Sequence, residues 1–376
     1  MVKMNDHTQI DGKSVLIFGG TGSLGRALIK RYRKCAEVHV FSRDEAKHWT
    51  LKNELGPGSD VRFHVGDVRD FERVTRVIRE VNPWAVISAA ALKHVDVCEN
   101  APSESIETNV RGPQNIANAC WNKMQGGGGN IHVVLQVSTD KACEPVNVYG
   151  MCKALAERTF TSQTLANTMC KFRGKEPPFA GFPRFVTVRY GNVLESRGSI
   201  LPLFRWQAEN SNALTVTDPN MTRFVMTLDD SVDLITFAIE QAENGETWVP
   251  RLPAMRIGDL ADLFSELYNK PVVRIPTRPG EKQHEVLVGK TEATRTLRMC
   301  NLTKHPDGRV VRYVINPPHA PAGRDKLFSP AGIEQYTSAD DVMSPAALRT
   351  HLTSLGITTA DMSTFTGMKI EEIRTR

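Results

Sequence analysis

Residues Val15-Leu-Ile-Phe-Gly-Gly-Thr-Gly-Ser-Leu-Gly25 carry the pattern that decides the fold: four apolar residues, a glycine run, then a helical stretch to Lys34. The apolar run has the length of a buried strand. Glycines at 19, 22 and 25 allow a tight turn and close backbone approach, and the following helix offers unpaired N–H groups at its start. The same rhythm continues outward. Apolar runs recur at Val38–Phe41, Val61–Val65, Ala85–Ala91, Ile131–Val137 and Phe185–Val188, with helical spacing at Leu24–Lys34, Glu72–Val81 and Ser105–Asn122 between them. Strand–helix repetition of this kind predicts an α/β fold, a Rossmann-type doubly wound parallel sheet covered on both faces.

The rhythm weakens further on. Gly126–Gly129 reads as a loop, and Lys171–Pro183, rich in Gly and Pro, as a surface insert. Beyond Asn192, helices such as Asp229–Asn244 and Ile257–Tyr268 alternate with irregular stretches. The expected organisation is a nucleotide-binding sheet domain over 1–190 and a smaller C-terminal substrate-binding part over 191–316, interleaved with the sheet domain. A Pro-rich tail over 317–376 would be a strap for oligomer contact or a loosely attached end. There is no internal repeat.

The chain has 376 residues, 40% apolar and 24% charged, with net charge +5. These are ordinary values for a soluble protein, and without a single-sign block they give no case for nucleic acid. Seven cysteines without a CxxC pair argue against a disulfide framework and against zinc, so no metal is expected. No apolar run approaches about eighteen residues, and the start lacks a signal-peptide layout, so the expectation is a cytoplasmic protein with no membrane partner.

In such a fold the first glycine loop cradles a pyrophosphate, which assigns Gly19, Thr21, Gly22, Ser23, Leu24 and Gly25 to a dinucleotide. The second strand ends in Ser42 and Arg43, with Lys47 a turn later, where a NAD site usually places an acid. A guanidinium there suits a 2′-phosphate and predicts NADP; the competing reading gives the ribose hydroxyls to Asp44. Asp67 and Val68 follow the third strand beside the adenine, and Ala89 ends the fourth with a small side chain.

Ser138-Thr-Asp-Lys-Ala142 closes the next strand, and Tyr149 and Lys153 follow on a helix. Residues four apart share a helix face, about 5–6 Å from one another. There the Lys153 ammonium can hold a ribose hydroxyl and lower the Tyr149 phenol from about 10, making a base for an alcohol that gives up hydride. Asp140 and Lys141 add an acid and a base. Once carbon 4 of a sugar is a ketone, a neutral Lys141 can take the carbon-5 proton and a protonated Asp140 can supply the departing 6-hydroxyl. One internal transfer turns the ion pair into that neutral pair. NADP would stay bound and be regenerated each turnover.

Taken together, these segments resemble the extended short-chain dehydrogenase/reductases, and among them the soluble inverting UDP-N-acetylglucosamine 4,6-dehydratases of polysaccharide biosynthesis. The carrying motifs are Gly19–Gly25, Phe41–Lys47, Gly66–Asp70, Ala90–Val95, Glu107–Gly112, Ser138–Ala142, Arg189–Val193, Ser196–Ser199, Met221–Phe224 and Arg278–Lys282, over roughly residues 13–289. In the related dTDP-glucose dehydratases, Glu stands where Lys141 does. The resemblance implies Lys141 as carbon-5 base, Asp140 as acid, Thr139 on the 4-hydroxyl, and Tyr149 with Lys153 for the hydride steps. Lys93 would lie between cofactor and sugar, with Thr108 on the cofactor. Ser138, Asn192, Thr217, Arg278 and Glu281 would contact the UDP-sugar. It also implies a homo-oligomer, a hexamer or dimer. The alternatives are a carbon-5-retaining dehydratase, a nucleotide-sugar 4-epimerase, and a non-catalytic NADP-binding regulatory protein.

Overall fold

The computed structural model describes residues 9–125, 129–163, 182–194, 196, 199–299, 312–318 and 328–357. Most of the Lys171–Pro183 insert, three residues of the Gly126–Gly129 loop, Arg197, Gly198 and parts of the tail lie outside them.

The first half alternates as its pattern predicts. Strands β1 (Ser14–Phe18), β2 (Glu37–Ser42), β3 (Arg62–Val65), β4 (Ala85–Ser88), β5 (Val133–Thr139) and β6 (Arg184–Tyr190) are separated by helices. These are α1 (Ser23–Tyr32), α2 (Glu45–Leu55), α3 (Phe71–Val81), α4 (Val95–Asn100), α5 (Pro102–Ile106), α6 (Gly112–Gln125) and α7 (Val148–Gln163). Pairing runs β3-β2-β1-β4-β5-β6 and then Thr247–Pro250, all parallel. Arg312–Ile315, Thr296–Met299 and Phe328–Pro330 extend this edge antiparallel. The order reverses between β1 and β4, the switch point where open α/β sheets bind ligands. Leu16, Phe18, Val86, Val134 and Phe185 are almost wholly buried, as strands with helices on both faces require.

Two local departures from the expected elements bear on function. The run Ala85–Ala91 stops pairing at Ser88, which frees Ala89–Leu92 as a loop. The single helix expected over Ser105–Asn122 is instead α5, a π-helical stretch Glu107–Arg111 and α6. Such π segments are frequent at functional sites. Asn109 accounts for this one: its Oδ1 accepts from Leu92 N and its Nδ2 donates to Leu92 O, each at 2.8 Å. Those two hydrogen bonds pin the loop after β4.

The chain forms two compact units. The first holds 1–190, 229–251 and 288–335, and the second holds 191–228, 252–287 and 336–376. Tyr190/Gly191 is thus a boundary, but stretches on either side of 317 are shared between the units, because strands from 247–250, 296–299, 312–315 and 328–330 belong to the first unit's sheet. The second unit has its own core of Leu201, Phe204, Leu214, Val225, Leu260, Phe264, Leu348 and Leu352. No helix among the described residues is long and apolar enough to cross a membrane.

Candidate active site

β1 runs into the glycine loop at the switch point. Gly19 has φ +84°, and a Cβ there would lie 2.7 Å from Ala90 N. A Cβ on Gly25 would meet Gly20 at 2.4 Å. Both glycines therefore let loop, α1 and the β4 end approach closely. Gly22 caps α1 without a side chain, and the first turn holds no acidic residue, so its N–H groups stay open to an anion. This cradle fits a dinucleotide pyrophosphate. Thr108, in the π segment, adds a buried Oγ1 with no hydrogen-bond partner among the described residues.

At the end of β2, Ser42 is half-buried and Arg43 exposed. Asp44 is occupied: Oδ1 accepts from Lys47 N at 3.0 Å as the cap of α2, and Oδ2 pairs with Lys47 Nζ at 2.7 Å. Those bonds hold its carboxyl below the ordinary range. Asp67 is likewise taken by Arg69, through the backbone N–H at 3.0 Å and the guanidinium at 2.8 Å. Burial would raise the Asp67 carboxyl, yet Arg69 outweighs it and holds it low. Val68 is a core side chain whose carbonyl accepts from Asn115. Ala89 donates its N–H to Phe18 O, and Lys93 is exposed beyond it.

β5 delivers Thr139 into a single 3₁₀ turn, Asp140–Ala142. Asp140 is fully buried. Its Oδ1 accepts from Thr139 Oγ1 at 2.9 Å and from Lys141 Nζ at 3.0 Å, while the Lys141 side chain stays 20% exposed. Helix α7 then starts directly against this turn. Asn147 Oδ1 accepts from Gly150 N at 2.8 Å, and a Cβ on Gly150 would sit 2.1 Å from Lys141 O. The missing side chain at 150 brings Tyr149 beside Asp140 and Lys141.

The sequence expectation of a lowered Tyr149 needs correction. Burial pushes its phenol up to about 12, and the charge of Lys141 is the largest opposing influence. Lys153 is buried, donates to Val137 O at 2.9 Å, and is pushed down to about 8 by burial, with Glu157 acting against that. The physical reason is that desolvation exceeds what the neighbouring charges return, the Lys141 ammonium for Tyr149 and the Glu157 carboxylate for Lys153.

Glu157, one turn beyond Lys153, was missed by sequence reasoning. It accepts from Ser138 Oγ at 2.5 Å and from Arg189 Nε at 2.9 Å and Nη2 at 2.5 Å. Arg189 also binds Glu292 at 2.7 and 3.0 Å. Burial would raise Glu292, but the Arg189 bonds hold it at about 2. Ser138 is thereby committed to a buried ion network that ties β5 to α7. A Glu at Lys153 plus four on the helix and an Arg within a buried strand were the available signals.

The remaining substrate candidates lie in the second unit. Asn192 has a buried Oδ1 with no partner among the described residues. Thr217 Oγ1 contacts Met221 Sδ at 3.8 Å, and its carbonyl accepts from Arg274. Arg278 and Glu281 close a turn on one another through Arg278 N to Glu281 Oε2 at 3.2 Å and Glu281 N to Arg278 O at 3.3 Å, around Gly280 at φ +80°. Among the described residues no cluster of His, Cys, Asp and Glu could hold a metal ion.

Comparison with known proteins agrees with this picture. The model of a family described as "Polysaccharide biosynthesis protein" matches residues 15–305. A UDP-glucose 4-epimerase of Rickettsia rickettsii is 37% identical over 87% of this chain and 91% of its own. The solved structure of Pen from Bacillus thuringiensis superposes with TM-score 0.80 at 30% identity, covering 93% of this chain and 99% of that one. DesIV, a dTDP-glucose 4,6-dehydratase from Streptomyces venezuelae with NAD bound, has TM-score 0.59 at 19% identity, over 72% of this chain and 86% of its own, which speaks to fold alone.

Proposed function

The chain belongs to the polysaccharide biosynthesis protein family of extended short-chain dehydrogenase/reductases, and from that premise we propose that it is an NADP-dependent UDP-N-acetylglucosamine 4,6-dehydratase that inverts carbon 5. The observation that carries this reading is the Asp140–Lys141 pair, 3.0 Å apart with Asp140 wholly buried, set against Tyr149. Hydride chemistry alone needs only Tyr149 and Lys153.

When bound in the glycine cradle, the dinucleotide supplies a hydride acceptor for carbon 4 and a hydride donor for carbon 6. Tyr149 takes the 4-hydroxyl proton, with the Lys141 charge opposing part of the effect of its burial. Thr139 holds the 4-oxygen. Asp140 protonates the departing 6-hydroxyl, which leaves as water, while Lys141 removes the carbon-5 proton; inversion requires that carbon 5 then receive a proton on the opposite face. The resting pair already carries the needed proton, because transfer from Lys141 Nζ to Asp140 converts it to the neutral form. Asn192, Thr217, Arg278 and Glu281 of the second unit are assigned to the UDP-sugar, Lys93 to the sugar and Thr108 to the cofactor. The working form is a cytoplasmic homo-oligomer.

The test is incubation with UDP-N-acetylglucosamine in deuterated water. The expected product has lost one water and gained deuterium at carbon 5, with inverted configuration by NMR. A second reading, a UDP-sugar 4-epimerase, is favoured by the names of the Rickettsia relatives. Lys141→Met separates the two: it should abolish water loss in a dehydratase and leave an epimerase running. A wild-type chain that interconverts UDP-sugars without losing water would decide for the epimerase.

A further inference from the structure

The adenosine end of the cradle holds a histidine that the mechanism above leaves without a task. His48 sits on the first turn of α2 and is 5% exposed. Its Nε2 lies 2.7 Å from Ser42 Oγ, and Thr21 Oγ1 donates to the same oxygen at 3.3 Å. Its Nδ1 is buried and has no hydrogen-bond partner among the described residues. Burial holds the imidazole below its ordinary range, with Asp44 and Glu45 acting the other way, so the ring is neutral near pH 7 and carries one proton.

The position of that proton follows from the pairing. On Nδ1 it would be a buried donor with nothing to give to. On Nε2 it is used on Ser42 Oγ and leaves only a bare ring lone pair, the less costly arrangement. Ser42 Oγ then accepts from both His48 and Thr21, which fills its two lone pairs. Its own O–H is left to donate away from the protein. Next to it Arg43 is exposed, and both oxygens of the Asp44 carboxylate are already engaged by Lys47. The end of β2 therefore offers a hydroxyl donor and a cation, with its nearest acceptor taken. A phosphate, which only accepts, matches such a donor set. A ribose hydroxyl, which must also place its own proton, does not.

We infer that His48 is a positioning residue for cofactor selection: by holding the Ser42 hydroxyl as an outward donor, it favours a 2′-phosphate over a 2′-hydroxyl. This rests on the NADP reading above. The experiment titrates NADPH and NADH separately, by nicotinamide fluorescence, into the wild-type full-length chain, His48→Leu, His48→Gln, Ser42→Ala and the double variant H48L/S42A. The wild type should prefer NADPH. His48→Leu should lose about tenfold in NADPH affinity, the scale of one charge-assisted hydrogen bond, with NADH unchanged. His48→Gln keeps a side-chain N–H donor and should retain most of the preference.

Ser42→Ala should lose a similar amount, and the double variant should lose no more than either single change. If His48→Leu proves unfolded, Ser42→Ala with the His48→Gln control still reads the same ratio. Equal loss of both cofactors in the variants, or an unchanged ratio, overturns the inference while the NADP reading stands. A wild type that binds NADH as tightly as NADPH removes the NADP reading itself, and the inference with it.

Discussion

Gly150→Ala is the most exacting probe of how the site is built. Gly150 lies inside a helix at ordinary φ, so alanine would by itself stabilise α7 by about 0.5–1 kcal/mol. The added Cβ would, however, stand 2.1 Å from Lys141 O, 3.0 Å from Lys141 C and 3.2 Å from Asn147 Oδ1. The obstacle is backbone, which cannot rotate away like a side-chain tip. Reaching normal contact requires α7 and the Asp140–Ala142 turn to separate by about 1 Å. Overpacking of this kind costs about 1–3 kcal/mol, partly offset by the helix gain, so the fold should survive with a modestly lower Tm. Activity should suffer far more. Tyr149 moves with α7 while Asp140 and Lys141 stay with the turn, and a misplacement of about 1 Å is worth about 10²-fold in rate. The assay is kcat for water loss from UDP-N-acetylglucosamine, with NADPH affinity and thermal melting as controls. The expected result is a fall of about two decades in kcat with cofactor affinity kept, since the glycine cradle is not part of the clash. A variant within threefold of wild-type kcat would refute the claim that this contact sets the site.

Lys153 titrates near pH 8 because burial lowers it and Glu157 opposes that. In the proposed mechanism its ammonium is the working form, so activity should fall as pH rises through about 8, and Glu157→Gln, which removes the opposing charge, should move that limb to lower pH; an unmoved limb would show that Glu157 does not tune Lys153. The stability sign is the reverse. Below pH 8 both folded and unfolded Lys153 are protonated and burial costs its full amount, whereas between about 8 and the ordinary lysine value of 10.5 only the unfolded chain holds the proton, so the Lys153 contribution rises with pH there. Arg189→Met leaves Glu157 and Glu292 buried without their shared cation and should cost about 3–5 kcal/mol in urea denaturation. The triple variant R189M/E157Q/E292Q should recover much of that loss, and equal stability of single and triple variants would show that Arg189 does not act by neutralising the two carboxylates.

Much of the site was legible because its signals are local. The β1–glycine–α1 unit, the Ser138–Ala142 strand end and the Tyr149–Lys153 spacing each act within one turn or one strand, where side-chain period and backbone freedom decide the outcome. Ile257–Tyr268 was read to the residue for the same reason. The stretch Ser105–Asn122 is helical as expected, but its π-helical segment Glu107–Arg111 was not legible, because it answers to Leu92, 17 residues from Asn109.

What the sequence by itself determined is the alternating α/β pattern and the glycine cradle, and it named the candidate reacting groups. These depend on neighbours in the chain. Tertiary structure alone decided their charge states and partners. Burial outweighs the neighbouring charges at both Tyr149 and Lys153. His48 is neutral and bound to Ser42, and Ser138 is committed to Glu157 and Arg189, with Glu292 joining from 103 residues further on. It also returned Thr247–Pro250 and the strands near the tail to the first unit's sheet. Desolvation and strand pairing are sums over everything packed nearby, and distance along the chain does not encode them.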